Sequence, residues 1–144
     1  MASVSNLFRS PKNGRPMEEQ QVAQAVAGFG FLGCSHARSA GKRQLLLVDK
    51  ETLDAMELQP GIIRENITTV GLDVNGLKPG EQLRIGTALV EVAMVCTPCN
   101  QMEKVRPGLR RELYGRRGML CRVLAGGTIR AGDPIERLPP NPTA

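Results

Sequence analysis

Two thiols, Cys96 and Cys99, sit three residues apart at the end of an apolar run, in Met94-Val-Cys-Thr-Pro-Cys99. Thiols at this spacing serve several chemistries. A structural zinc ion wants two further ligands from Cys or His at matching spacing, and the remaining candidates, Cys34, His36 and Cys121, are scattered rather than paired. A redox pair of the thioredoxin kind opens a helix in a βαβ unit, whereas this pair follows a strand-like run. One buried thiol beside an incidental one needs no function at all, since free cysteine is among the most buried residue types. The reading favoured here takes Cys99 as a reactive thiolate or a soft-metal ligand. A free thiol with a pKa of about 8.5 is mostly protonated near neutrality, and cationic neighbours such as Lys104 and Arg106 lower that value. Thiolate sulfur is also the donor that soft, sulfur-rich metal centres select. Pro98 cannot donate to a sheet ladder, so Cys99 is expected in a loop just past the last strand pair, where a thiol can meet a ligand.

Other polar groups offer supporting chemistry. His36 is the sole histidine; beside Arg38, Lys42 and Arg43 it is either a hydrogen-bonded surface residue or an anion contact. Arg64, Glu65 and Asn66 interrupt a β-branched run, as a satisfied polar cluster if buried or as the lining of a site. From Lys104 to Arg122 seven cations face Glu112 alone, which is a solvated helical face or a field suited to phosphate or another anion. Gly28-Phe-Gly30-Phe-Leu-Gly33 matches the dinucleotide fingerprint in letters only. No strand precedes it and no apolar-periodic helix follows, so these are read as loop glycines.

The elements that must position these groups are short. Leu83 to Cys99 alternates at its start, is β-branched in its middle and breaks at Gly86, which predicts two strands or one bent strand. Ser3 to Arg9, Gln44 to Val48, Ile62 to Val70 and Met119 to Ala125 read as further strands, with Thr128 to Leu138 as a closing hairpin arm after the Gly126-Gly127 turn. Asp49 is placed to cap a helix from Lys50 to about Leu58, ended by Pro60-Gly61. Met17 to Ala27, rich in Glu, Gln and Ala, is expected to form a short helix, and Pro107 to Gly115 about two helical turns. Gly- and Pro-marked turns between short strands suit a mainly β barrel or sandwich with a few short helices. Residues 1–138 form one expected domain, and Pro139-Pro-Asn-Pro-Thr-Ala144 a disordered Pro-rich tail.

Composition sets the outer limits. The 144 residues can bury a sizeable core without disulfides, and with no Trp, one Tyr and three Phe that core must be aliphatic. The scarcity of aromatics and a net charge of only +5 disfavour nucleic acid as a partner. No apolar run approaches the roughly 20 residues of a membrane helix and no signal-type segment opens the chain, so a cytoplasmic protein with reduced thiols is expected.

The motifs in their order resemble the MOSC domain, the module found at the C-terminus of molybdenum-cofactor sulfurases and as small free-standing proteins. The resemblance runs from about Gly33 to Asp133: Gly33-x-x-His36, Arg43-Gln-Leu-Leu-Leu-Val48-Asp49, Pro60-Gly61, Glu65-Asn66-Ile67-Thr68-Thr69 and Gly71-Leu72. It continues through Leu77-Lys-Pro-Gly80-Glu81, Ile85-Gly86 and Val90-Glu91-Val92 to Pro98-Cys99. It implies a β-barrel fold and a role in handling molybdenum cofactor or metal-bound sulfur. Cys99 is then the thiol that carries a persulfide or ligates molybdenum, with His36, Arg43, Glu65, Asn66 and Cys96 as candidate cofactor-binding residues. Small members often read Gly-Asp-x-His where this chain has Gly33-Cys34-Ser35-His36, so a thiol replaces a carboxylate. The resemblance implies a molybdopterin-type cofactor, no pyridoxal phosphate in this chain alone, and a partner: a cysteine desulfurase or other sulfur donor, or an electron-transfer protein. The alternative is a non-catalytic module presenting Arg110, Arg111, Arg116 and Arg117 to an anionic partner.

Overall fold

The computed structural model describes residues 2–12, 15–35, 37 and 41–139. In chain order the elements are β1 (Ser3–Arg9), β2 (Glu18–Gln20), β3 (Val22–Val26), β4 (Gly30–Phe31), β5 (Leu45–Asp49), α1 (Lys50–Ala55) and β6 (Ile67–Val70). After a 3-10 turn at Val74–Gly76 come β7 (Gln82–Ile85), β8 (Ala88–Val95), α2 (Gln101–Val105), α3 (Leu109–Glu112), β9 (Met119–Ala125), β10 (Gly127–Arg130) and β11 (Ile135–Arg137). Eight strands form one sheet in the order β11-β7-β8-β9-β5-β6-β1-β2, all antiparallel except the β5–β6 pair. A second sheet joins β10, β3 and β4.

The large sheet curls until its ends meet. Ser3 bridges Pro134, Val4 N–H donates to the Asp133 carbonyl at 2.8 Å and Ile135 N–H to the Ala2 carbonyl at 2.9 Å, which seams β1 to the approach of β11. The result is a mainly β, barrel-like fold with three short helices. Its interior is aliphatic, as the composition requires, and includes Leu7, Leu45, Leu47, Ile67, Leu83, Val90 and Cys121. A second apolar cluster lies outside the sheet, where Leu46 and Val48 meet Leu53 of α1, Met102 of α2 and Leu109 and Leu113 by α3. Strand β5 is therefore buried on both faces, which is why its sequence is a continuous apolar run rather than an alternation.

Several local expectations hold for visible reasons. Asp49 caps α1, accepting from Thr52 N–H at 3.2 Å and Thr52 Oγ1 at 2.8 Å. Gly86, at φ 56°, makes the turn between β7 and β8. Around Gly28 to Gly33 the expectation holds only in part: strand β3 does precede them and Gly30 itself lies in β4, but the β3–β4 pair is antiparallel and among the described residues no helix opens from the glycines.

Others differ. Met17 to Ala27 is not a helix but β2 and β3. Ala23 and Ala25 point into the core while Val22 and Gln24 face out, a period of two set by pairing with β10 that overrides the helix preference of Ala, Glu and Gln. In the Ile62 to Val70 run only β6 is strand, because Arg64 takes a left-handed φ of 68°. The expected closing arm splits: β10 joins the small sheet and β11 the large one. Between Pro107 and Gly115 the helix is the single turn of α3, with α2 before it. Of the tail, residues 140–144 lie outside the described residues. Among the described residues no helix is long and apolar enough to cross a membrane.

Candidate functional site

Strand β8 leaves the sheet at Val95. Cys96 keeps one ladder contact, its N–H donating to the Gly118 carbonyl at 3.0 Å, and the chain then runs irregularly through Thr97 and Pro98. The Cys99 carbonyl accepts from Met102 N–H at 3.0 Å as α2 begins, so the second thiol is held between a strand end and a helix start. Cys99 is exposed and Cys96 half-buried, while Cys34 and Cys121 are buried.

Both thiols of the Cys-x-x-Cys pair line one cleft of about 330 Å³, whose wall also carries Arg43, Arg64, Asn66 and Arg117. Among the described residues no carboxylate contributes to this lining. Each arginine arrives by a different route. Arg43 precedes β5 and is exposed. Arg64 is fixed at its left-handed backbone by side-chain bonds to segments far away in sequence: Nη1 donates to the Arg15 carbonyl at 2.7 Å and Nη2 to Ser10 Oγ at 2.9 Å. Arg117 is only 6% exposed. Its Nη2 donates to the Ile63 carbonyl at 2.7 Å, while Nε and Nη1 have no hydrogen-bond partner among the described residues. A buried guanidinium whose Nε and Nη1 leave three N–H groups unused is costly unless negative charge meets it; the buried Glu65 carboxyl lies within reach of that charge, and Arg117 also lines the cleft.

The field in the cleft acts on Cys96. Burial pushes its thiol up most strongly; the guanidinium groups of Arg117 and Arg43 pull it back, and negative charge on Cys99 pushes it up again. The two thiols therefore feel one another. Cys121, wholly buried, is pushed up to about 12 and is chemically silent.

The other expected site residues divide. Asn66 lines the cleft and is fully buried: Oδ1 accepts from Leu46 N–H at 3.0 Å, and Nδ2 donates to the Phe8 carbonyl at 3.2 Å and to Cys34 Sγ at 3.3 Å. Glu65 does not line the cleft. Its Oε2 accepts from Gly61 N–H at 2.9 Å and Thr68 Oγ1 at 2.8 Å, and Oε1 is buried without a partner. Burial raises its carboxyl above the usual range, opposed by those hydrogen bonds and by the charge of Arg117. His36 lies outside the described residues, though Ser35 beside it reaches the cleft. Cys34 Sγ also accepts from Ser10 N–H at 3.3 Å, so this buried thiol acts as an acceptor of two N–H groups.

Arg117 was hidden in sequence. Nothing in Arg116-Arg117-Gly118 separates it from the solvated arginines around it; what draws it inward is Gly118, whose φ of 107° and close approach to the Leu47 carbonyl leave no room for a side chain. Arg117 accordingly leaves the exposed basic face to Arg110, Arg111 and Arg116.

Among the described residues no three His, Cys, Asp or Glu side chains gather in a way that could hold a metal ion by themselves. A metal that brings its own sulfur ligands needs only one protein thiolate, and Cys99 offers it beside cations able to take an anionic group. The donor set fits a cofactor of that kind and not a bare ion.

Comparison with known proteins gives a consistent picture. The family model described as the MOSC domain matches residues 35–136. The YuaD protein from Bacillus subtilis has a similar structure, with a TM-score of 0.79 and 22% identity, covering 94% of this chain and 94% of its own. YiiM from Geobacillus stearothermophilus is similar with a TM-score of 0.78 and 18% identity over 96% of this chain and 76% of its own. YiiM from Escherichia coli follows at 0.72 and 20% over 98% and 71%. At these identities the structures share the fold. No curated protein matches the chain.

Proposed function

As the chain belongs to the MOSC domain family, we propose that its cleft holds a molybdopterin-type cofactor, with Cys99 as the thiolate ligand to molybdenum and Arg43, Arg64 and Arg117 as contacts for the phosphate. The observation that carries this reading is the meeting of an exposed thiol with a buried arginine whose Nε and Nη1 lack partners, in a cleft with no carboxylate among its described lining residues. When bound, the cofactor supplies a metal centre able to exchange electrons or sulfur. The chain's own part is to fix and neutralise. Arg117, already tied to Ile63 through Nη2, offers its charge and the unpartnered Nε and Nη1 to an anion; Arg64, braced by Arg15 and Ser10, adds a second charge with little rotamer freedom left to lose. His36, Asn66 and Cys96 complete the set of candidate contacts, and Glu65 acts from behind the wall through the charge of Arg117.

The exposure of Cys99 supports a second reading, in which the thiol itself carries sulfur as a persulfide delivered by a donor such as a cysteine desulfurase. Either role needs a partner, a sulfur donor for the carrier or an electron source for the oxidoreductase component.

The test is metal, pterin and sulfane-sulfur content of protein purified without oxygen from cells that make molybdenum cofactor. Wild type is compared with Cys99→Ser and Arg117→Met. Molybdenum and pterin present in wild type and lost from Cys99→Ser support cofactor binding; sulfane sulfur alone, held by protein carrying Cys96→Ser and lost when Cys99→Ser is added to it, supports the carrier. Equal retention when Cys99→Ser is introduced overturns both. Removing one charge-assisted hydrogen bond costs about 1.5–3 kcal/mol, so Arg117→Met is expected to weaken cofactor retention roughly 10- to 150-fold.

A further inference from the structure

We propose that Cys96 is a resolving thiol for Cys99: it displaces whatever sulfur is bonded to Cys99, closing a Cys96–Cys99 disulfide in the cleft. For a persulfide on Cys99 this deepens the carrier reading above and rests on it; for a thiol adduct on Cys99 it stands alone.

The placement of the two residues carries the argument. Cys96 and Cys99 line the same cleft, one half-buried and one exposed. Incoming sulfur meets Cys99 first, and Cys96 waits behind it. Cys96 is anchored through its N–H to Gly118, whereas residues 97 and 98 between the thiols belong to no helix or strand. A disulfide needs Cα atoms about 4.4–6.8 Å apart; residues 96–99 form no helix, strand or turn, so closing the bond requires this irregular segment to bend and bring Cys99 back toward Cys96. The remaining thiols, Cys34 and Cys121, are buried and are not part of the lining, so Cys96 is the resolving candidate among the described residues. Burial holds the Cys96 thiol up, so its attack on Cys99 is slow, and Arg117 and Arg43, which oppose that rise, stand where the departing negative charge leaves.

The step balances without an outside oxidant. The Cys96 sulfur attacks the inner, Cys99-bound sulfur of the persulfide. A Cys96–Cys99 bond forms as the S–S bond of the persulfide breaks, its electron pair leaves with the terminal sulfur, and that sulfur takes up the Cys96 proton as hydrosulfide. Sulfane sulfur is reduced to sulfide while two cysteine sulfurs are oxidised to a disulfide. Two equivalents of a small thiol then restore both cysteines and become its disulfide.

Two arms on the full chain test this. In the first, protein is loaded with inorganic polysulfide without oxygen, stripped of excess, and followed for sulfide release and, after alkylation and digestion, for bonded peptides by mass spectrometry. Wild type is expected to release sulfide with no added thiol and to end with Cys96 joined to Cys99, whereas Cys96→Ser keeps its sulfane sulfur until a thiol is added. In the second, oxidised glutathione replaces polysulfide. Wild type is expected to reach the same internal disulfide, and Cys96→Ser to stop as a glutathione adduct on Cys99. Equal sulfide release from the two proteins, or a persistent glutathione adduct on wild type, overturns the proposal. Failure of both proteins to hold any sulfane sulfur overturns the carrier reading instead, and the glutathione arm then decides the role of Cys96.

Discussion

At the scale of single residues, the four thiols are sorted by their surroundings. Iodoacetamide on native protein near neutral pH is expected to modify Cys99 first and Cys96 more slowly, and to reach Cys34 and Cys121 only after unfolding. Peptide mapping over time checks the order, and early labelling of Cys121 contradicts the packing described. Glu65 makes a second prediction. Burial is the largest influence on it and raises its carboxyl, so the folded state favours the neutral acid more than the unfolded chain does. That contribution is fully present below the ordinary carboxylate value and is lost as pH rises through the raised one. Glu65→Gln cannot ionise and escapes this loss. The stability of wild type relative to Glu65→Gln is therefore expected to fall from acid toward neutral pH in urea titrations; a flat or rising difference would show that Arg117 outweighs burial. The exposed position of Cys99 past the end of β8 was legible, because a thiol after Pro98 at a strand end is a local signal. Arg117 was not, since its burial is decided by the path of a backbone folded against β5.

At the scale of elements, the strand pattern carried its own information wherever burial alternated or ran unbroken. Leu83 to Val95 resolved into β7 and β8 around Gly86, and the unbroken Leu45 to Val48 announced a strand covered on both faces. Strand β3 was illegible because Ala and Gln have no β signature, and only its partner β10, about a hundred residues later, makes it a strand. Helix α2 was hidden for a related reason: Met102 finds its apolar partners in a cluster assembled from distant segments. The cap on α1 was read from Asp49 alone, and Asp49→Ala is expected to lower stability by about 1 kcal/mol, seen as a reduced Tm. Gly118→Ala is expected to cost more, about 2–4 kcal/mol in denaturant titrations, because its Cβ would lie 2.3 Å from the Leu47 carbonyl oxygen at a backbone angle that side chains rarely take. A loss below 1 kcal/mol would mean that β5 yields where its two-sided burial says it cannot.

At the scale of the molecule, a net charge of +5 and a cleft lined by three arginines favour the approach of anions. Capture of an anionic ligand is expected to slow as ionic strength rises, because charges separated by more than about 10 Å are screened at 0.1 M salt. Stopped-flow association at two salt concentrations checks this, and an unchanged rate would assign recognition to short-range contacts alone. The barrel is closed by a seam between the first strand and the approach to the last, Ser3 against Pro134. During synthesis β1 must therefore wait, with part of one edge unpaired, for a partner that lies far downstream in the chain. Its pairing with β6 can form earlier, so the nascent chain passes through an open, curled sheet whose unsealed margin is a target for aggregation or for chaperones. Closure of so long a loop makes the pairing at the seam slow, whereas the cleft, lined by residues between Ser35 and Leu120 on β5, β9, α2 and the loops beside them, does not draw on it.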